Sequence, residues 1–203
     1  VAYLSSFNYK KLLVAATHTK VQSRCVALNA AMKGMGTDEK QLIRVIVCAT
    51  MKERELIRQA YQEMFDKDLI EHVESETSGD FKGMLVALLE SCEPEDAPDY
   101  EGDADVIIDS FAGSDADFET ITRKLAAKTP SQLEELAAAY EAKAGESLKE
   151  KLAQESASFG ESIFGNSDFK SLVQLLMQPP AERLASSVRY CIEGWGTDDT
   201  GLI

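Results

Sequence analysis

Apolar residues recur at intervals of three and four along most of the chain. The segments KQLIRVIVCA, ERELIRQAYQEMF and KDLIEHVESE each gather them on one helical face. Alternating, β-branched runs of the kind that make strands are scarce. The pattern predicts an all-α protein. Ten helices are expected, near 23–33, 37–48, 51–65, 67–76 and 80–91, then near 101–112, 116–127, 130–144, 146–156 and 167–177.

The second five repeat the first. At a shift of 79, Gly34 falls on Gly113, Asp38 on Asp117, Ile46 on Leu125, Ala60-Tyr61 on Ala139-Tyr140 and Glu76 on Glu155. After the added FGESIFGNS the match resumes at a shift of 88, with Asp80-Phe81-Lys82 on Asp168-Phe169-Lys170. Two aligned helix starts share one mechanism. In TMKE and TPSQ the threonine oxygen accepts the amide three residues on, and Glu53 or Gln132 reaches back. Pro130 occupies the first helical position, where its missing N–H costs nothing. Further along, GWGTDDTGLI repeats GMGTDEKQLI, and NYKKLLVAA near the start resembles DFKGMLVAL. The expected organisation is two whole modules, 23–98 and 99–178. Residues 1–22 are the end of a preceding repeat or an N-terminal arm, and 179–203 begin a further, truncated repeat. EPEDAPDYEGD is the acidic, proline-bearing linker between the whole modules.

Charge narrows the function. With 21 basic and 35 acidic residues the net is −14, which argues against nucleic acid as a partner. Unaided binding to an anionic lipid surface is equally disfavoured, but a multivalent cation can bridge the two. No apolar run has the length of a membrane span. Cys25, Cys48, Cys92 and Cys191 are dispersed in mostly apolar surroundings and read as reduced thiols. The chain has no CxxC, HExxH, P-loop or GxSxG, and so no nucleophile–base constellation; an enzyme is not expected.

The remaining chemistry centres on MKGMGTDE, residues 32–39. Gly34 and Gly36 leave the main chain uncovered and open backbone angles closed to other residues. Thr37 is the expected N-cap, with Asp38 and Glu39 in a first turn that favours acids. One reading stops at a well-capped acidic turn. The other adds Glu76, at the end of the fourth helix. If the two connections lie side by side, the carbonyls of Met32, Gly34 and Gly36 face the Glu76 carboxylate. Three carbonyls and a bidentate acid supply five oxygens, short of the roughly 6–8 that calcium takes, and a lipid phosphate can complete the shell. DADFET is no EF-hand, because Thr120 stands at the sharp-turn glycine position.

MKGMGTDE, Glu76, TSGDF and the reprise GWGTDD together resemble the repeat of the annexins, over essentially the whole chain. The resemblance implies five-helix repeats packed into a helical array. It implies Ca2+-dependent binding to an acidic phospholipid membrane surface, cytoplasmic and peripheral, without catalysis. It implies Ca2+ ligands at Met32, Gly34, Gly36 and Glu76, with a minor site from the Thr37 carbonyl and Glu39. The third loop offers the carbonyl half of a site at Ile192, Gly194 and Gly196. Trp195, Met35 and Lys33 are the expected membrane contacts. The second module departs from the pattern, with Asp115 in place of the second glycine and Phe118 where Glu39 stood. The alternative is a structural, cytoskeletal-protein-binding repeat with little Ca2+-dependent lipid binding. Tyr61, Tyr140, Phe65, Phe81, Phe159, Phe164 and Phe169 read as packing residues. His72, on a glutamate-rich helix, is expected in solvent.

Overall fold

The computed structural model describes residues 18–34, 36–91, 96–112, 116–158 and 166–192. Among them the chain is all-α, with eleven helices and no strand. They are α1 (Lys20–Ala31), α2 (Glu39–Val47), α3 (Met51–Phe65), α4 (Leu69–Glu76), α5 (Gly79–Glu90), α6 (Tyr100–Phe111), α7 (Phe118–Ala126), α8 (Pro130–Ala144), α9 (Leu148–Ser158), α10 (Asn166–Leu176) and α11 (Pro180–Ile192).

Local chemistry explains where the helices start. Thr50 accepts from the Glu53 amide at 3.2 Å while Glu53 Oε2 accepts from the Thr50 amide at 3.0 Å. Thr129 and Gln132 form the same reciprocal pair at the start of α8, so both capping boxes read from the sequence are in place. A third box, Thr19 with Gln22, starts α1 at Lys20. This start lies three residues before the one expected near residue 23, where the apolar period becomes strong. At the other end of α3, Asp66 stops the helix in the left-handed region at φ 53°. Gly145 stops α8 the same way at φ 73°, a conformation that costs glycine nothing and aspartate something.

One contiguous core joins all of this. Leu28, Leu42, Ile46, Ile57, Tyr61 and Leu85 fill it on one side, and Ile107, Ile121, Leu125, Leu136, Tyr140 and Leu172 on the other. Burying each such aliphatic side chain contributes about 1.5–3 kcal/mol. Within each group of five, α1 packs on α2 and α3 as α6 packs on α7 and α8. Between the groups the packing is reciprocal: α5 lies on α7, α10 lies on α2, and α5 touches α10. Phe81 of α5 and Phe169 of α10 are both buried. The Phe169 ring meets Phe118 edge-on, with centroids 5.2 Å apart.

Buried guanidinium groups satisfy helix-end carbonyls that would otherwise be orphaned. Arg54, 5% exposed, donates to the carbonyls of Ile46 at 3.1 Å and Leu88 at 3.0 Å. At the aligned end of α10, the Leu176 carbonyl accepts instead from Arg183 of α11, which also donates to the Gln178 carbonyl. Leu133 occupies the position that aligns with Arg54. The two groups therefore cap the same helix from different directions, and α11 is integral to the second.

Ion pairs tie the helices laterally with reversed polarity. In the first group Glu53 of α3 pairs with Lys20 (2.7 Å) and Arg24 (2.9 Å) of α1. In the second, Asp103 of α6 takes the register of Arg24 and pairs with Lys124 and Lys128 at the end of α7, each at 2.6 Å. Gln132 replaces Glu53 there, so the acid has moved to the opposite helix.

Candidate calcium loop

The loop that follows α1 is anchored at both ends. Met32 is buried, and its amide donates to the Leu28 carbonyl at 3.2 Å. The Asp38 amide closes the loop by donating to the Ala31 carbonyl at 2.8 Å. Between these anchors Gly34 and Gly36 have φ of 126° and 90°, and both are exposed. A Cβ added at either would touch nothing within 4 Å. Glycine is therefore demanded by backbone angle, while the surface above the main chain stays open. The same clamp recurs in the second group, where the Asp117 amide donates to the Ser110 carbonyl at 2.9 Å.

Asp38, not Thr37, is the N-cap of α2; its side chain accepts from the Gln41 amide at 3.0 Å. Thr37 does something else. Its hydroxyl donates across to the Glu76 carbonyl at 3.1 Å, over a sequence separation of 39. That bond lays the glycine loop against the end of α4. Thr77 ends that helix in extended conformation, its hydroxyl donating back to the Val73 carbonyl at 2.6 Å. Met32, Gly34, Gly36, Thr37 and Glu76 therefore share one loop cluster. Glu39 lies half-buried in the first turn of α2, and Lys33 stands exposed at the loop.

His72, one turn before Glu76, is not free in solvent. It is half-buried, with Nδ1 2.8 Å from the Tyr61 hydroxyl, which also donates to Asn29 at 3.3 Å. Burial lowers the imidazole pKa and Lys67 adds to the effect, while Glu76 opposes both. The sequence signal for this was the spacing: Tyr61 and His72 lie on successive helices joined by one short turn.

Side chains alone do not build a metal centre here. Among the described residues no three His, Cys, Asp or Glu side chains are grouped to hold an ion. Any ion at this loop depends on peptide carbonyls with Glu76. Uncovered glycines with an adjacent acid fit such an oxygen donor set, and the set suits a hard cation rather than zinc.

The second group is built differently. Residues 113–115 lie outside the described residues. Phe118 is 5% exposed and belongs to the core between α7 and α10. Glu155 pairs with Lys151 at 2.9 Å, and that hydrogen bond holds the Lys151 ammonium above its ordinary pKa. Lys151 takes the register of His72 and lies over the Phe111 ring, 5.6 Å from its centroid. An internal cation thus faces the acid that aligns with Glu76. Of the third loop, only Ile192 falls within α11; Gly194, Trp195 and Gly196 lie outside the described residues, as does Met35. Phe159 and Phe164, in the added segment, are also outside them.

Comparison with known proteins gives one consistent result. The Annexin family model matches residues 25–88. The chain is 36% identical over 155 residues to annexin A7 of Dictyostelium discoideum, covering 76% of this chain and 30% of that one. It is 32% identical over 203 residues to annexin A5 of Rattus norvegicus, covering 96% of this chain and 61% of that one. The chain thus spans between about a third and three-fifths of the length of these relatives. The fold superposes on the structure of annexin III with a TM-score of 0.82 at 22% identity, covering 96% of this chain and 60% of that chain.

Proposed function

Because this chain belongs to the annexin family, we propose that its glycine loop and Glu76 hold a calcium ion and dock the protein on acidic phospholipid. The single observation that carries this reading is the Thr37–Glu76 hydrogen bond of 3.1 Å. It ties the glycine loop to the backbone of Glu76, 40 residues on from Gly36, which supports a reading in which the loop carbonyls and the Glu76 carboxylate serve one ion.

Met32, Gly34 and Gly36 would offer carbonyl oxygens and Glu76 its carboxylate, with Thr37 and Glu39 as the minor pair. Calcium, when bound there, supplies the positive charge that joins protein oxygens to a lipid phosphate. The chain's residues do the positioning. Buried Met32 and the Asp38 amide hold the two loop ends, so little ordering remains when a cation arrives. One carboxylate leaves the bare site weak, which makes the lipid phosphate a required partner. Lys33 stands at the loop where that phosphate would lie, and Met35 and Trp195 are the apolar contacts of the two loop apices. The second loop is silent in this reading, because Lys151 already neutralises Glu155. We read 23–98 and 99–178 as two modules, with 1–22 the end of a preceding repeat or an N-terminal arm and 179–203 the start of a further repeat. The function is binding, without catalysis, peripheral on a cytoplasmic membrane face.

Vesicle sedimentation tests the proposal. Phosphatidylserine vesicles should pellet the protein with calcium and release it to chelator. Glu76→Gln should abolish most of the pelleting. Co-pelleting with vesicles or cytoskeletal filaments that ignores chelator favours a structural repeat protein instead.

A further inference from the structure

A cavity of about 520 Å³ opens between α2, α10 and α11, where the two groups of five and the eleventh helix meet. Its wall holds a residue that the calcium reading leaves without a task. Gln41 of α2 is 6% exposed, and its Oε1 has no hydrogen-bond partner. A buried acceptor left without a donor costs free energy, so its place in a cavity wall needs a reason.

Asp38, the cap of α2, lines the same cavity. Its carboxylate accepts from the Gln41 amide at 3.0 Å, which uses one of the about four acceptor positions a carboxylate has. Residues three apart at a helix start are neighbours, so two acceptors stand side by side there. The hydroxyls across the cavity have other partners. Ser186 donates to Gln178 Oε1 at 3.0 Å, and Ser187 is hydrogen-bonded to Cys48.

Charge decides what kind of donor fits. Lys40, Arg44 and Arg189 also line the cavity, so a cationic ligand is repelled. Each of the three is already engaged within the protein, and Asp38 opposes an anion. A neutral molecule rich in donors remains.

We propose that this cavity binds a neutral ring polyol of monosaccharide size. Two neighbouring ring hydroxyls donate at once to the Asp38 carboxylate and to Gln41 Oε1. Gln174, exposed on α10, adds an amide that both donates and accepts. Ile43 and Leu175 give the C–H face of the ring an apolar wall. The volume falls within the roughly 300–1,000 Å³ of small-molecule sites, which combine such apolar walls with a few placed polar groups. The inference is independent of calcium, so its test is run in chelator.

NMR titration of the whole chain with glucose or myo-inositol should show saturable shifts at Gln41 and Gln174. Permethylated glucose keeps the ring but has no donor, and should show none. Glucosamine and glucose 6-phosphate, which add a charge of either sign, should bind more weakly than glucose. Gln41→Leu should weaken the polyol by about tenfold. It also removes an unpaired acceptor, so this variant should unfold at the wild-type temperature or above, which separates lost binding from lost folding. Saturation by neither neutral polyol, equal binding of permethylated glucose, tighter binding of either charged analogue, or binding that Gln41→Leu leaves unchanged overturns the proposal.

Discussion

Glu53 gives the sharpest stability prediction, because nature has made the control elsewhere in the chain. Its carboxylate completes the α3 capping box and also pairs with Lys20 and Arg24. At the aligned position Gln132 keeps the box without the charge. The substitution Glu53→Gln therefore removes the ion pairs and spares the cap. Partial burial pushes the Glu53 carboxyl up, but the bonds from Lys20, the Thr50 amide and Arg24 outweigh it and bring the pKa from 4.5 down to about 2. A shift of that size corresponds to about 3 kcal/mol as a ceiling. Glu53 is 22% exposed and Lys20 70%, so solvent screening reduces the expected loss to about 1–2 kcal/mol. The sign follows from the depressed pKa. The wild-type advantage is complete above pH 4.5 and disappears as pH falls toward about 2. Urea unfolding of both proteins at a series of pH values measures it. A difference that stays constant from pH 7 to pH 2.5, or no difference at pH 7, would refute the reasoning.

Other substitutions test separate parts of the architecture. Arg54→Met leaves the Ile46 and Leu88 carbonyls without their buried donor and should cost about 3 kcal/mol in chemical unfolding. Arg183→Met should cost a similar amount, read by hydrogen exchange as opening of the α10 end, whereas Arg54→Met opens α2 and α5. Asp103→Asn takes a carboxylate away from the 1% exposed Lys128 ammonium and should destabilise by about 3 kcal/mol. Burial raises the Asp103 carboxyl, but Lys124 and Lys128 lower it further, so that stability is present at neutral pH and lost on acidification below the ordinary carboxylate range. Gly36→Ala meets no neighbour but must hold φ near 90°; thermal unfolding should show a loss of about 1 kcal/mol with α1 and α2 intact.

Much of this architecture is legible in the sequence, for reasons that differ between elements. The bounds of α3 and α8 agree with the sequence reading because a capping box states the start and the apolar period runs on to a left-handed stop. Helix α1 starts earlier than the apolar period suggests because its Thr19–Gln22 box precedes the strongest apolar positions. At α2 two adjacent residues, Thr37 and Asp38, are both able to cap. Local chemistry does not choose between them; the long-range bond from Thr37 to Glu76 does. The place of His72 is hidden in the sequence because helical periodicity shows which face is charged but not which partner helix supplies a hydroxyl. The reversal of the Arg24–Glu53 pair into Asp103 with Lys124 and Lys128 was equally hidden, since each residue alone looks like ordinary surface charge. The glycines of the loop were readable for the opposite reason: φ of 126° and 90° exclude nearly every other residue.

Crystals grown in excess calcium test the account most directly. The account predicts an ion bound at about 2.3–2.6 Å by the carbonyl oxygens of Gly34 and Gly36 and by both oxygens of Glu76. An ordered loop with no ion, and a Glu76 carboxylate turned away from those carbonyls into solvent, would contradict it.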